Sequence, residues 1–337
     1  MGGVVALPDF LIAGVPKAGT SALHAALVRH PQLFLPGVKE PKFFLSDGRP
    51  PDHGGPGDRQ TYQEHVWRRG DYEALFADAP PGAVKGEATP FYLHDEGAHR
   101  RIRRLIPGAK LVLILRDPVD RALSNWAHLF GAGLEPESDF LRACDKEAER
   151  KRKGWAAFWL YQELGHYGTQ VRHLFEHFPR EQVLLMRYRD LRDTPVDALD
   201  RVTAFLGVDP GVVRDVPKDN VRPFVADTRV NAGIRLLLRT GGRVGHRFPV
   251  PVRRAVRTPL LAALHQGHVR RPKVTRAQRA ALLPRFVEEI KLLETVTGDS
   301  YADWLSLDHP STEGGRPSTG TDHAGAARQP GAKADVH

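Results

Sequence analysis

The chain has almost no cysteine. Cys144 is the only one in 337 residues, so no intramolecular disulfide forms and a reducing compartment is expected. Cys144 sits among Arg142, Asp145 and Lys146, with no second thiol and no metal-ligand spacing around it. A nucleophilic role for it is not expected. Long apolar runs are missing too: no stretch of about 18 apolar residues occurs, and Phe10–Ala13 is far too short to span a bilayer. Val4–Leu7 is short and lacks a preceding basic segment, so no secretory signal is expected. A cytoplasmic location follows as an expectation. No internal repeat is visible.

Negative charge is in deficit. Lys and Arg number 49 against 40 Asp and Glu, a net charge of +9. A basic surface suits an anionic partner: nucleic acid, a membrane or a polyphosphorylated cofactor. The local clusters Arg100-Arg101-x-Arg103-Arg104 and Arg150-Lys151-Arg152-Lys153 are not interleaved with aromatics as a single-strand-binding surface would be. Both read as solvated helix faces, and nucleic acid is not an expected partner.

Hydrophobic residues make up 41% and charged residues 26%, ordinary for a soluble globular chain. Apolar strands alternate with helical patterns. Lys110–Leu115 is a continuous apolar run, suited to a strand buried on both faces. Val84–Tyr92 is a short strand leading into a loop, and Gln182–Met186 is a further buried strand. Helices are predicted at Gly19–His30, Tyr62–Phe76, Ala98–Ile106, Pro118–Phe130, Trp155–Leu164, Tyr167–Phe178, Thr194–Leu206 and Thr275–Thr297, the last broken near Pro284. This alternation implies an α/β fold in three layers, with a central parallel sheet flanked by helices. Asn220–Pro272 is Arg-, Gly- and Pro-rich and predicts loops and short helices over a site. One domain is expected over 1–305, with a disordered C-terminal tail over 306–337 that lacks apolar residues.

Two segments carry chemistry. The first is Asp9-Phe-Leu-Ile-Ala-Gly14-Val-Pro-Lys17-Ala-Gly19-Thr20-Ser21. A strand, a glycine turn and a helix N-terminus read as a phosphate cradle of backbone N–H groups and helix dipole, the alternative being a plain strand-to-helix turn with an incidental lysine. Gly14 and Gly19 have P-loop spacing, but Thr20 stands where the P-loop lysine belongs, and Lys17 is the only lysine of the loop. The second is Leu111-Val-Leu-Ile-Leu-Arg116-Asp117-Pro118-Val-Asp120-Arg121-Ala-Leu-Ser124. Arg116 lies at the carboxyl end of a strand, where open α/β sheets bind ligands, and guanidinium suits bidentate phosphate contact. Ser124 adds a hydroxyl donor two helical turns on. The alternatives are an Arg116–Asp120 salt bridge and a solvent-facing serine. Asp117 with Pro118 reads as a helix N-cap and N1 pair.

In this combination the chain resembles the sulfotransferases that use 3′-phosphoadenosine 5′-phosphosulfate (PAPS). Gly14–Leu23 looks like their 5′-phosphosulfate loop, a P-loop-like element. Leu111–Trp126 is similar to their 3′-phosphate motif. Lys39-Glu-Pro-Lys-Phe-Phe44 and Gly86-Glu-Ala-Thr-Pro-Phe-Tyr92 bring the likeness nearest to the heparan sulfate branch and its bacterial relatives. The resemblance implies in-line sulfuryl transfer from PAPS, with no metal and no redox cofactor. It implies Lys17 as the cation on the leaving group and Glu40 as general base. It implies Ala18, Gly19, Thr20 and Ser21 around the 5′-phosphate, and Arg116 and Ser124 at the 3′-phosphate. Arg271 and Lys273 fall where relatives place a basic loop over the cofactor.

The acceptor is expected to be a hydroxyl or amine of a small molecule, glycoside or glycolipid. The heparan sulfate enzymes carry a lysine where this chain has Ala88, so Lys85 or Lys39 substitutes or that cation is absent. Two other readings stand beside this one: a P-loop small-molecule kinase, and a nucleic-acid-binding module suggested by net charge. The oligomeric state is not set by the sequence.

Overall fold

A computed structural model describes residues 7–49, 52–59, 65–217, 224–225, 228–244, 249–265, 268–269 and 271–308. Five parallel strands form one sheet: β1 (Phe10–Gly14), β2 (Leu33–Phe34), β3 (Val84–Ala88), β4 (Lys110–Leu115) and β5 (Val183–Arg187), ordered β2-β3-β1-β4-β5. β1 lies at the centre. Phe10 is level with Gly86 of β3 and Lys110 of β4. Every residue of β1, and all of β4 after Lys110, is buried, which is why both read as unbroken apolar runs. Gly86 is required at its place, because a Cβ there would lie 2.1 Å from the Phe10 ring.

The helices follow the strands in turn. α1 (Thr20–Leu27) follows β1, α2 (Arg69–Ala74) precedes β3, α3 (Glu96–Leu105) links β3 to β4, and α4 (Pro118–Gly131) follows β4. The short α5 (Phe140–Asp145) and α6 (Glu147–Arg152) lead to α7 (Tyr167–Phe175). After β5 come α8 (Tyr188–Asp193) and α9 (Pro195–Leu206), then α10 (Arg229–Val244) and α11 (Val250–His265). A small antiparallel pair, β6 (Phe224–Val225) and β7 (His268–Val269), brackets those two helices. α12 (Arg276–Leu282) and α13 (Val287–Thr297) complete the set, separated by a 3-10 turn at Leu283–Arg285 that contains Pro284.

Caps fix the helix starts. Asp95 accepts from the Ala98 N–H, and Asp117 accepts from those of Val119 and Asp120 with Pro118 behind it. A cap of this kind contributes about 1 kcal/mol. α4 is buried along nearly its whole length, so it forms part of the core rather than a covering layer. Large side chains such as Phe10, Phe44 and Phe286 are almost completely buried, each contributing roughly 1.5–3 kcal/mol.

Four expectations are corrected. Trp155–Leu164 forms 3-10 turns at Ala157–Trp159 and Glu163–Gly165, not a helix. The buried Asp58 holds the Ala156 N–H and the Trp159 Nε1–H, each at 2.9 Å, and fixes the turn there. The segment expected to be loops and short helices holds α10 and α11, sixteen residues each. Arg150 is not on a solvated face: it is 3% exposed, pairs with the buried Glu135 at 2.9 Å and lies against the rings of Trp155, Trp159 and Tyr161. Of the predicted Tyr62–Phe76 helix, 62–64 lie outside the described residues, 65–68 are not helical, and α2 covers only Arg69–Ala74; 309–337 of the predicted tail also lie outside the described residues.

Candidate active site

β1 ends at Gly14, and the loop turns into α1 through Gly19. Gly19 is the N-cap, with φ +88°, and a Cβ there would meet the Tyr188 ring at 3.0 Å. Only glycine satisfies both conditions. No side chain caps α1, so its first-turn N–H groups face the loop side as an anion-binding end. Thr20 is buried, and Ala18 is fully so. Lys17 also adopts a left-handed conformation, φ +70°.

Arg116 follows β4 and is 4% exposed. Its Nη1 donates to the Lys17 carbonyl at 3.1 Å, and its guanidinium lies 5.0 Å from the Tyr188 ring centroid. Its own carbonyl accepts from Tyr167 Oη at 2.9 Å. The two motifs, 99 residues apart in sequence, therefore touch. On α4, Ser124 is buried, and Arg271 Nη2 donates to its carbonyl at 3.0 Å and lies 3.3 Å from its Oγ. Lys273 is exposed, and among the described residues no hydrogen bond or ion pair links it to these groups. One turn after Ser124, His128 Nδ1 lies 3.4 Å from Lys17 Nζ. His128 is a site residue the sequence motifs do not mark.

The Lys39–Phe44 segment closes the other side. The Glu40 N–H donates to the Ala88 carbonyl at 3.1 Å, and the Lys42 N–H to Thr89 Oγ1 at 3.2 Å. Glu40 and Lys42 have φ of +56° and +58°. The Glu40 carboxylate lies 3.5 Å from Lys39 Nζ and 3.9 Å from Lys42 Nζ. Lys39 also donates to Ser21 Oγ, tying this segment to α1. Burial and the Lys39 ammonium lower the His24 pKa to about 4, so that imidazole is neutral. Lys85 pairs with Asp9 at 3.0 Å, beyond the amino end of β1. Of the two lysines weighed against Ala88, only Lys39 reaches the site.

Behind this segment lies a group the motifs do not explain. Glu87 is 1% exposed, and its carboxylate accepts from Tyr92 Oη at 2.6 Å, Thr89 Oγ1 at 2.9 Å and Tyr72 Oη at 3.3 Å. Desolvation outweighs these donors and pushes its pKa up to about 7. Thr89 in turn receives Lys42, and Phe43 stacks on Tyr72. Its sequence signals are an acid inside a buried strand and a place in the Gly86–Tyr92 segment. Asp117 is committed elsewhere: both its oxygens pair with Arg279, at 3.1 and 2.7 Å, while it caps α4. That arrangement suits a structural pair rather than a metal-binding carboxylate.

Comparison with known proteins places this geometry. Residues 8–210 match a profile described as the sulfotransferase family. Human heparan sulfate glucosamine 3-O-sulfotransferase 3B1 is 30% identical over 203 residues, 60% of this chain and 46% of that protein. The mouse bifunctional heparan sulfate N-deacetylase/N-sulfotransferase 3 is 29% identical over 60% of this chain and 23% of its own length. The match thus spans less than half of either relative. A crystal structure of a sulfotransferase from Alicyclobacillus acidocaldarius aligns with a TM-score of 0.69 and 28% identity, over 89% of this chain and 99% of that one.

Proposed function

Because the chain belongs to the sulfotransferase family, we propose that it transfers a sulfuryl group from PAPS to a hydroxyl or amine of a small-molecule, glycoside or glycolipid acceptor. The observation that supports this reading is the Arg116–Lys17 contact, which brings the loop proposed for the 5′-phosphate against the arginine proposed for the 3′-phosphate. The donor set suits a nucleotide phosphorylated at both ends: uncapped N–H groups and Lys17 at one, Arg116, Ser124 and Arg271 at the other. When bound, PAPS supplies an activated sulfuryl group, and 3′,5′-ADP departs.

This chain's residues then have distinct tasks. Lys17 offers a cation where negative charge develops on the departing phosphate, and a positioned donor of this kind is worth about 3 kcal/mol in a transition state. Ala18, Gly19, Thr20 and Ser21 hold that phosphate. Glu40 takes the acceptor proton, with Lys39 and Lys42 flanking its carboxylate. Lys39 is assigned the position left by Ala88. Lys273 keeps a lesser role at the rim. No metal is required by these groups, and no nucleic acid is invoked.

Calorimetry tests the reading directly. The protein should bind 3′,5′-ADP more tightly than 5′-AMP by about tenfold or more, since a charged hydrogen-bonded pair is worth roughly 1.5–3 kcal/mol. Equal affinities would remove the 3′-phosphate assignment. Lys17→Ala and Glu40→Gln should each cut transfer by about 10²-fold or more while leaving the fold intact. A kinase is the second reading; magnesium-dependent turnover of ATP without PAPS activity would favour it over this one.

A further inference from the structure

The α10–α11 hairpin is built with its apolar side outward. Five of the nine exposed large hydrophobic residues among the described residues fall on it: Val230, Leu236, Leu237, Val252 and Val256, from 49% to 73% exposed. Val230 and Leu237 are seven residues apart, and Val252 and Val256 four, so each pair lies along one helix face. Gly233, Thr240, Ala255 and Pro259, all uncharged and exposed, share these outward faces. The inward faces carry Leu238 and Leu264, both buried. Arg235 is buried too, with its guanidinium 3.7 Å from the Phe130 ring centroid on α4. His265 bonds to the Gly131 carbonyl at the end of the same helix. The hairpin is therefore seated on α4, which also carries Ser124 and His128.

Charge separates this region from the rest of the chain. The hairpin itself, Arg229–His265, has eight Arg and no Asp or Glu, leaving 41 cations against 40 anions elsewhere. Nearly all the excess positive charge of the protein resides here. A second copy docking through this face would bring two such segments together with no carboxylate to pair them. Nucleic acid would use the cations but not the outward leucines and valines. An anionic bilayer uses both, with apolar side chains entering the acyl boundary and arginines meeting lipid phosphates.

We propose that the α10–α11 hairpin docks this protein on anionic phospholipid surfaces, beside the helix that lines the candidate active site. This does not depend on the catalytic reading, and it is tested without PAPS. The full chain is sedimented with vesicles of phosphatidylcholine alone, and of phosphatidylcholine with about one quarter phosphatidylglycerol. It should partition to the anionic vesicles, and high salt should weaken that binding. The exposed-site variants Leu236→Ser/Leu237→Ser and Val252→Ser/Val256→Ser should each weaken it about tenfold or more, with unfolding curves unchanged.

Three results would overturn the proposal: no anionic-vesicle binding by the natural chain, equal binding by the serine variants, or equal binding to neutral vesicles. A solution dimer that the serine variants dissolve would assign the face to a second copy instead.

Discussion

Glu87 gives the sharpest test of how this site is held. Its carboxylate is buried beneath the Glu40 segment and receives three hydroxyl donors. Desolvation nevertheless raises its pKa from 4.5 to about 7, and the charge of Glu40 adds a smaller push in the same direction. The folded protein thus holds this proton more tightly than the unfolded chain does. Between the two pKa values the folded state binds more protons, so stability falls as pH rises through that window and levels off above about 7. A gap of about 2.5 units at 1.36 kcal/mol per unit amounts to roughly 3 kcal/mol. Part of that is already lost at pH 5, leaving roughly 2.5 kcal/mol between about pH 5 and pH 8.

Glu87→Gln keeps the volume and an acceptor oxygen but removes the titration. Urea unfolding of both proteins across this range isolates the effect, because other titrating groups are common to the pair. The variant should gain on the natural protein by roughly 2.5 kcal/mol from acid to alkaline pH. Parallel pH–stability curves for the two would refute the reasoning, since they would mean that Glu87 titrates alike in the folded and unfolded chains.

Three further substitutions probe other links. Arg279→Met strands the buried Asp117 carboxylate and should cost about 3–5 kcal/mol in urea unfolding; a loss under about 1 kcal/mol would show that the pair is not what anchors α12 to α4. Gly86→Ala drives a methyl into the Phe10 ring and should cost about 1–3 kcal/mol or more by overpacking, read as a lowered thermal midpoint. Lys39→Met removes a cation from both Ser21 and Glu40 and should lower kcat/KM for sulfuryl transfer about tenfold or more; an unchanged value would deny Lys39 the role assigned to it.

The sequence is most readable where local rules suffice. β4 runs over Lys110–Leu115 and α4 starts at Pro118, as the apolar run and the Asp-Pro cap predict. The turn from β1 into α1 and the place of Arg116 after β4 are readable for the same reason: glycine spacing and strand-end position are local properties. What fails to show depends on partners far along the chain. Arg150 looks solvated among its neighbours, but Glu135 and three aromatic rings enclose it. Arg279 looks like any helical arginine until Asp117 arrives from 162 residues away. α10 and α11 are hidden differently. Their glycines and prolines predict loops, and much of their apolar surface faces solvent, so the usual inward stripe is weak. Their seating on α4 comes from Arg235 over Phe130 and from Leu238 packed against Gly133, where a Cβ would lie 2.5 Å from the leucine.

The backbone itself sets apart residues for which site roles are proposed. Lys17, Glu40 and Lys42 are the non-glycine residues with positive φ among the described residues, each at a cost of about 1–2 kcal/mol. None has the short polar side chain that favours this conformation. A chain selected for stability alone would place glycine or asparagine at such points, and Gly19 shows that it does so nearby. The strain is held by named contacts. Arg116 grips the Lys17 carbonyl, Ala88 accepts from Glu40, and Thr89 accepts from Lys42 while donating to Glu87. The left-handed turns send one ammonium, one carboxylate and a second ammonium off two separate loops that Lys39 ties together through Ser21. Buried groups, Glu87 above all, are therefore part of how those charges stay in place.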